Sequence, residues 1–595
     1  MAARHMPVRL TDKLTDRWLT APAKYLCDLD HCEPSDAIRS TAARGHWRKV
    51  AYTTNERSGI MLMAGPETAA PPIRYPLNIP GWHSISIGSY VFPGSTVRVA
   101  VRLSSDSAFS ILHVPEVEGG WTTHAADSEQ FTEIFWKIAD LTDDHLEIRQ
   151  LNWRVTPGES PGAIQGSDVA IAYIKLVPLN TNEARALHAD REHSNSKRLF
   201  AHNDAHGPHW TYRLTDADGI RREIEPYRNT DFGRIYWEAA AGDRTNYLSS
   251  LGQPATCDNA LDFGRQGDRF VAESWRIFRD KGIDPLQVAV QHAHDAGLEL
   301  HASYRVAGFH EPPPLPDLHD ASYFAAHPEQ RGTDRSGQPT PRISYAHPEA
   351  RAFVLGLFRE IASYDVDGIC MFYNRRMPVL EYETPLVEAF QERYGQDPRE
   401  LHTHDPRWLT FRSETLTSFM RELRATVDTE AAKLGRSSRI TISAIVTGFP
   451  DENLFYGIDA PRWIQEGLVD TLIPYSSHPA WGSTKNSWTD PAQIAPWIEL
   501  TAGTSTVVAP NIMPRGLSSA DYRRRADCLY NSGVEHLYFW DTTPYKPGSW
   551  EGLRRLGHID EVRAWCTSGE TELPPPTQRI RELDGWGFDS YGTGE

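Results

Sequence analysis

A short strand-forming run near the middle of the chain opens directly into a cluster of polar side chains. The run covers residues 368–373 within the segment DVDGICMFYNRRMPVLEYE, residues 365–383. The polar residues that follow it are Asn374, Arg375, Arg376, Glu381 and Glu383. Two carboxyl groups at such a place can divide proton donation and nucleophilic attack between them, and neighbouring arginines can hold them ionised. The segment therefore predicts acid–base chemistry at the end of a strand.

Four glutamates are candidates for a catalytic pair, because each ends or follows a predicted strand. Glu383 is our first choice, and the second acid is Glu452 in FPDEN or Glu238 in RIYWE. Glu381 shares the loop of Glu383, although an arginine–glutamate network on a barrel rim would explain it equally well. The alternative for Glu452 is an acid in an exposed turn. The alternative for Glu238 is a buried ion pair with an arginine.

These side chains need strands to position them, and further strand-like runs follow residue 195 with helical segments between them. The alternation of strand and helix predicts a parallel sheet with right-handed crossovers, and eight such strands close a (β/α)8 TIM barrel. In these barrels the C-terminal ends of the strands build the active site. The predicted strands are residues 198–202, 233–238, 299–306, 368–373, 440–446, 471–475, 505–510 and 536–540.

The N-terminal part predicts a different architecture. Short strand-like runs recur there without helices between them, and Pro, Gly, Ser and Asp separate them. In residues 96–103, Val and Leu alternate with Arg, which is typical of a half-solvated strand. We therefore expect a multidomain chain in which an antiparallel β-sandwich precedes the barrel. The predicted units are an N-terminal extension (1–40), the β-sandwich (41–180), the barrel (195–565) and an extended C-terminal tail (566–595).

Composition and charge exclude several classes of protein. Hydrophobic residues make up 40% and charged residues 24% of the chain, which is typical of a soluble globular protein. The formal net charge of −18 argues against nucleic acid or an anionic membrane as a partner. Six cysteines are too few for a disulfide scaffold, and residues 1–20 lack the apolar run of a secretory signal or membrane span. We expect a cytoplasmic enzyme, and a homo-oligomer is compatible with the sequence.

Aromatic residues indicate the class of ligand. The chain has 18 Trp and 23 Tyr, and several end predicted strands. Aromatic faces stack on sugar rings while acids, amides and arginines bind hydroxyls, so the combination favours a carbohydrate. Packing in the barrel core is the alternative for each aromatic residue. The candidate substrate-binding residues are His202, Asp204, Trp237, Asp243, Arg244, His301, Arg305, His310, Tyr373, Asn374, Arg375, Asp451, Tyr475, Asn511, Trp540 and Asp541.

Three stretches of the predicted barrel resemble the glycoside hydrolase-like barrel proteins described as family 10-like glycosylhydrolases. They are AHDAGLELHASYRV, YDVDGICMFYNRR and LVDTLIPYSS, and the family's corresponding strands take the forms ELHAW, DGIHFDDY and VDYIIPQ. The resemblance extends loosely over residues 195–565 and implies a (β/α)8 fold and action on glycosidic bonds. Phe372 and Tyr373 stand where the family pattern has paired acids. The resemblance therefore implies that the carboxylates of this chain lie elsewhere.

Three hypotheses for the function fit the sequence. The first is a glycoside hydrolase or transglycosidase that uses a carboxylate pair on an oligo- or polysaccharide and needs no cofactor. The second is a barrel that binds carbohydrate without cutting it, as the missing strand-four acids suggest. The third is a metal-dependent hydrolase or isomerase, which requires His202, Asp204, His301 and His310 to converge. We expect no metal, because the first predicted strand has no His-x-His pair.

Overall fold

The computed structural model describes residues 22–90, 99–112, 130–153, 165–192, 194–256, 263, 265–309, 322–375, 377–475, 488, 490–512, 517–540, 550–568 and 576–587. Strands dominate the chain up to residue 178, and helices and strands alternate after it. None of the helices in these ranges is long and apolar enough to cross a membrane.

The N-terminal part is built from sheets that are antiparallel, apart from one parallel pairing between β2 and β3. Its strands are β1 (Lys24–Leu26), β2 (Ile38–Arg39), β3 (Trp47–Thr54), β4 (Ser58–Ala64), β5 (Ile73–Pro76), β6 (Trp82–Tyr90), β7 (Val99–Leu103), β8 (Ser110–Leu112), β9 (Gln130–Asp140), β10 (His145–Gln150), β11 (Asn152–Trp153), β12 (Gln165–Gly166) and β13 (Val169–Pro178). The large sheet has the order β2-β3-β4-β13-β6-β9, with β1 beside β13, and the smaller sheet has the order β5-β10-β7-β8. A third, short pair joins β11 and β12.

Side chains of the two larger sheets share one hydrophobic core. Ile87 of β6 and Ile148 of β10 are buried in the same cluster. On β7, Val101 joins this cluster, whereas the next residue, Arg102, forms an ion pair with Glu147 at 2.7 Å. Successive residues of a strand point to opposite faces of the sheet. The structure describes residues 99–103 of the predicted run, and there Val101 is buried while Arg102 faces the other side, as predicted. The N-terminal region is thus mostly strands in sheets, as the sequence predicted.

From residue 181 the chain alternates helices with strands. In chain order these elements are α1 (Thr181–Arg191), β14 (Leu199–Asn203), α2 (Gly207–Tyr212), α3 (Asp218–Ile224), β15 (Phe232–Ala241), β16 (Arg244–Thr245), β17 (Gln253–Pro254), α4 (Gln266–Lys281), α5 (Pro285–Asp295), β18 (Glu299–Arg305), α6 (Ser322–Ala326), β19 (Arg331–Thr333), β20 (Pro339–Ile343), α7 (Pro348–Ala362), β21 (Gly368–Phe372), α8 (Thr384–Tyr394), α9 (Pro406–Lys433), β22 (Thr441–Thr447), α10 (Pro450–Phe455), α11 (Ala460–Gln465), β23 (Thr471–Tyr475), α12 (Pro491–Thr501), β24 (Val507–Val508), α13 (Ser519–Asn531), β25 (Leu537–Phe539), α14 (Trp550–Leu553) and α15 (Ile559–Ser568). Gly297 (φ 73°) and Gly467 (φ 64°) follow α5 and α11 in the left-handed conformation, which lets each helix end shortly before the next strand.

The strands of this part form a parallel sheet whose last strand lies beside its first. Parallel pairings follow the order β14-β15-β18-β21-β22-β23-β24, and β25 pairs with β14. Asn511, just after β24, forms parallel bridges to Tyr475 of β23 and to Tyr538 of β25. Each predicted strand segment after residue 195 therefore overlaps an observed strand. The seventh, β24, is only two residues long.

The parallel sheet has two faces with different surroundings. Tyr236, Phe372 and Trp540 belong to a small cluster on the inner face of the sheet. Trp237 and Tyr373, each a sequence neighbour of one of them, belong to the large core that the sheet forms with the helices. The period of two residues along a strand separates the two sets. The inner face thus carries its own row of side chains, which ends where the strands end.

The last described strands return to the N-terminal sheet. β26 (Thr577–Leu583) pairs in antiparallel fashion with both β9 and β3, and β27 (Trp586–Gly587) pairs with β26. Arg48 of β3 also forms an ion pair with Asp584, at 2.6 Å. The predicted extended tail therefore includes a segment that pairs with the edge of the N-terminal sheet.

A charged cluster attaches α1 to the parallel sheet. His558 contacts Asp190 of α1 through Nε2, at 3.1 Å, and Asp231, just before β15, through Nδ1, at 2.7 Å. Arg555 also binds Asp190, at 2.8 Å. Burial alone lowers the pKa of His558, but its hydrogen bonds to the two carboxylates raise the pKa to about 9. A protonated His558 therefore links the helix to the sheet.

We expect the free energy of unfolding to fall as the pH rises from 6.5 to about 9, because of His558. A histidine with a raised folded-state pKa stabilises the fold fully below its unfolded pKa and loses this contribution as the pH rises through the folded value. The shift corresponds to about 3 kcal/mol. Chemical denaturation of the wild type and of His558→Gln over this pH range measures the effect. Equal pH dependence in the two proteins would contradict the assignment.

Candidate functional site

The inner face of the parallel sheet ends in a ring of polar and aromatic side chains. Because every second residue of a strand faces inward, the last inward residues of the strands lie together at their C-terminal ends. We call this ring, with Asp204 beyond β14, the mouth. Its members are His202, Asp204, Glu238, Arg305, Asn374, Thr447, Tyr475, Asn511 and Trp540. Sequence reasoning missed only Thr447 among them, although its place two residues after the inward Ile445 was a usable signal.

Glu238 is a buried carboxyl group on β15. It is 3% exposed, and Arg305 at the end of β18 donates from Nε to its Oε2 at 2.6 Å. Burial raises the pKa of Glu238, Arg305 lowers it and the Asp204 carboxylate raises it, with a result of about 7. A carboxyl group with this pKa can give or take a proton at neutral pH. Glu238 thus forms the predicted ion pair with an arginine and also has a pKa near neutrality.

Asp204 places a second carboxylate beside Glu238. Its Oδ1 accepts hydrogen bonds from the backbone N–H groups of His206, at 3.1 Å, and Gly207, at 2.7 Å. These bonds fix the side chain at the start of α2, and its charge acts on the pKa of Glu238. Two acids therefore lie at the ends of the neighbouring strands β14 and β15.

Trp540 has protein groups against its ring. His202 stacks on it with ring centres 4.2 Å apart, and the guanidinium carbon of Arg375 lies 4.5 Å from the ring centre. Tyr475 meets the ring edge-on at 5.6 Å. Stacking on a sugar needs an uncovered aromatic face. Trp540 is therefore better placed to offer its Nε1–H to a ligand than to stack on one.

Several buried polar atoms of the mouth have no hydrogen-bond partner within the described ranges. They are both amide atoms of Asn374, Nδ2 of Asn511, Nε1 of Trp540 and Oγ1 of Thr447. Buried polar groups in native proteins are nearly always paired. These atoms lie at the ends of β21, β22, β24 and β25, whereas the two acids lie at the ends of β14 and β15. The mouth thus combines an acidic side with a side of unpaired hydrogen-bonding groups.

Glu381 and Glu383 lie in a different environment, in the loop before α8. Both oxygens of Glu383 accept the backbone N–H of Glu381, at 3.1 and 2.9 Å, and burial raises the pKa of Glu383 to about 7. Burial also raises the pKa of Glu381, which pairs with Arg342 at 3.8 Å. Arg375, predicted to hold these acids ionised, lies against the ring of Trp540. No contact that the structure gives for its described residues brings this pair to Glu238.

Three further predicted acids lie away from the ring of inward side chains. Asp451 is exposed and Glu452 half-buried, both in the first turn of α10. Asp243 accepts the backbone N–H of Tyr323 at 2.7 Å, and its burial raises its pKa. Arg244, the next residue, lowers the pKa of both Asp243 and Glu238. Asp243 thus fixes the start of α6, while the charge of Arg244 reaches the mouth.

Trp237 and Tyr373 do not reach the mouth. Both are fully buried in the core between the sheet and the helices. The Tyr373 ring lies 5.4 Å from the ring of Trp463 on α11. The physical reason is register, because each residue follows an inward side chain by one position and so points the other way.

His301 faces inward but lies near the opposite ends of the strands. Its Nε2 is 3.5 Å from Glu299 Oε2 and 3.4 Å from Thr441 Oγ1. Burial lowers its pKa to about 4. In the described ranges no three His, Cys, Asp or Glu side chains are grouped to hold a metal ion. His310 and Asp541 lie outside the described residues.

Comparison with known proteins gives a family match and weak structural similarities. Residues 269–488 match the family model described as Glycosyl hydrolase-like 10, which confirms the resemblance seen in the sequence. This range includes Arg305 and Asn374 but ends before Asn511 and begins after Glu238. Among curated proteins, none matches the chain.

Two solved structures illustrate the structural similarity. The PgaB (BpsB) glycoside hydrolase domain from Bordetella bronchiseptica is 14% identical, with 62% of this chain and 97% of that chain covered and a TM-score of 0.38. The endo-1,4-beta-mannanase from Rhizomucor miehei is 10% identical, with 62% and 95% covered and a TM-score of 0.37. Similarities at this level assign no activity to the chain.

Proposed function

We propose that this chain is a glycoside hydrolase that cleaves an oligo- or polysaccharide at the mouth of a (β/α)8 barrel. The observation that carries the proposal is Glu238, a buried carboxyl group with a pKa of about 7 at the C-terminal end of a parallel strand, beside a second acid, Asp204. The match of residues 269–488 to Glycosyl hydrolase-like 10 supports the substrate class. The parallel pairings that place β25 beside β14 support a closed barrel.

In this proposal Glu238 protonates the oxygen of the leaving sugar. Arg305 binds Oε2 of Glu238 at 2.6 Å, so Oε1 is the oxygen that carries the proton. When the proton leaves, the guanidinium of Arg305 stabilises the carboxylate that forms. Burial works in the opposite direction and keeps the acid protonated up to neutral pH. The two effects together tune one carboxyl group for proton transfer.

Asp204 supplies the second carboxylate that glycoside hydrolysis requires. It acts on the anomeric carbon directly or through a water molecule, while Glu238 acts on the glycosidic oxygen. Its hydrogen bonds to the backbone of α2 hold it in one orientation, which favours a fixed angle of attack. The proposal thus assigns the pair to β14 and β15, in place of the Glu383 pair that the sequence favoured.

A barrel that binds carbohydrate without cleaving it is the second candidate. Phe372 and Tyr373 favour it, because they stand where the family pattern has paired acids, and Tyr373 is buried against α11. Such a protein would use the polar atoms of the mouth for recognition and would leave Glu238 as a structural partner of Arg305.

Product formation from a panel of oligosaccharides and nitrophenyl glycosides tests the proposal. We expect cleavage of at least one substrate at a rate that EDTA does not change, because the two acids need no metal. Binding without turnover across the panel would favour the non-catalytic barrel. Activity that EDTA abolishes would favour a metal-dependent hydrolase.

A further inference from the structure

Asn374 is a buried amide whose hydrogen-bonding capacity is unused. It follows β21 by two residues, continues the inward series of Cys370 and Phe372, and is 7% exposed. Neither Oδ1 nor Nδ2 has a hydrogen-bond partner among the described residues. An amide side chain can donate two hydrogen bonds and accept two. Leaving both ends unpaired in a buried site is rare in native proteins, and at a strand end it indicates a ligand.

Neighbouring strand ends hold further unpaired groups in fixed orientations. The backbone N–H of Trp540 donates to Oδ1 of Asn511 at 3.2 Å, which turns Nδ2 of Asn511 away from that bond. The indole Nε1 of Trp488 donates to the backbone oxygen of Asn511 at 2.7 Å and fixes the residue further. His202 holds the ring of Trp540 by stacking at 4.2 Å. The unpaired Nδ2 of Asn511 and Nε1 of Trp540 are therefore preoriented donors.

The chemistry of these groups favours an uncharged ligand that both donates and accepts hydrogen bonds. A carboxylate or phosphate offers acceptors only and would leave the Oδ1 of Asn374 unpaired. Two hydroxyls on adjacent carbons match both ends of the amide, because one hydroxyl donates to Oδ1 and the other accepts from Nδ2. Asn511 and Trp540 add donors for neighbouring oxygens. An uncharged polyhydroxyl ring satisfies the whole set.

We propose that Asn374 binds a vicinal diol of the sugar unit that lies against β21, β22 and β24, with Asn511 and Trp540 donating to neighbouring oxygens. The inference deepens the proposed glycosidase function and rests on it for the substrate class. It makes Asn374 a specificity-determining residue, because a sugar that lacks one of the two hydroxyls leaves one end of the amide unpaired.

Binding measurements test this subsite independently of cleavage. Nuclear magnetic resonance titration of the full chain uses methyl glycosides of glucose, galactose and mannose as probes, together with their monodeoxy analogues. We expect at least one parent glycoside to bind, and removal of either hydroxyl of the diol to weaken binding about tenfold. Asn374→Ala is expected to weaken binding of the parent by about tenfold to hundredfold and to remove the discrimination against the deoxy sugars.

The control variant is Asn180→Ala, which removes the exposed side-chain cap of α1 and is expected to leave sugar binding unchanged. Asn374→Asp keeps the side-chain shape and replaces the donor end by an oxygen, so it provides the same test if Asn374→Ala fails to fold. Unchanged affinity in both Asn374 variants would overturn the proposal. So would equal binding of parent and deoxy glycosides, or no binding of any glycoside by the wild type. If the chain discriminates between parent and deoxy glycosides but cleaves no substrate, the proposed subsite is supported and only the proposed hydrolase activity is refuted.

Discussion

Replacing Glu238 by Gln is expected to lower kcat/KM on unactivated glycosides by about 10²- to 10⁴-fold. The substitution keeps the shape of the side chain and removes the proton that Oε1 delivers to the leaving oxygen. The amide oxygen of Gln can accept the hydrogen bond that Arg305 donates to Oε2 of Glu238, so we expect the variant to fold. Initial rates on the best substrate of the panel, with thermal unfolding of both proteins, measure the effect.

Glu383→Gln is the matched control for this variant. Glu383 is also a buried carboxyl group, 1% exposed, with a pKa of about 7. Its oxygens are engaged by the backbone N–H of Glu381, and its contacts lie in the loop before α8. Our account expects Glu383→Gln to retain most of the activity. Loss of activity in Glu383→Gln together with retention in Glu238→Gln would reverse the assignment in favour of the pair that the sequence suggested.

The pH dependence of kcat/KM is expected to show a descending limb with a midpoint near 7, because Glu238 must carry a proton to act as the acid. Above this pH the protonated fraction falls tenfold for each pH unit, and the rate follows it. The pH dependence of kcat/KM reports the free enzyme, which makes it the right quantity to measure.

Arg305→Met provides the internal check on that limb. The guanidinium of Arg305 lowers the pKa of Glu238, so its removal is expected to raise that pKa and to move the descending limb to higher pH. A limb that keeps its position in Arg305→Met would assign the titration to another group. If the residual activity of Glu238→Gln still showed the descending limb, the titration would also belong to a group other than Glu238.

The arrangement of the second half of the chain was predictable because its signals are local. Strand-forming runs, the helices between them and glycines such as Gly297 and Gly467 lie next to each other in the sequence, and a parallel sheet follows from their alternation. The return of β26 to the N-terminal sheet was not predictable in this way. Its pairing with β3 joins residues more than five hundred positions apart, as in the ion pair between Arg48 and Asp584.

The candidate site was partly predictable, because the ends of the strands can be read from the sequence. The direction of each side chain cannot, because it depends on the exact residue at which the strand begins. A shift of one residue separates Glu238, which faces inward, from Trp237, which packs against helices. The position of a residue along its strand also decides whether its side chain reaches the mouth. His301 faces inward but is the third residue of β18, near the N-terminal end of the strand, and its partners are Glu299 and Thr441 rather than residues of the mouth.

Glu383 and Glu238 differ in their hydrogen-bond partners rather than in their burial. Both carboxyl groups are buried, and burial raises both pKa values to about 7. What distinguishes them is the partner, a backbone N–H for Glu383 and the Arg305 guanidinium with the Asp204 carboxylate nearby for Glu238. The partner of Glu383 lies two residues away in its own loop, whereas the partners of Glu238 come from the ends of other strands. Sequence spacing alone put Glu383 first, and the proposed function puts Glu238 first.

The most direct test of the central claim compares two leaving groups in Glu238→Gln. A dinitrophenolate leaves without a proton, whereas a sugar hydroxyl needs one, so loss of the general acid affects only the second. Our account predicts that Glu238→Gln cleaves a dinitrophenyl glycoside with a kcat/KM within about tenfold of the wild type and loses the cleavage of the matching unactivated glycoside. Equal losses on both substrates, or no loss on either, would contradict the role of Glu238 as the acid.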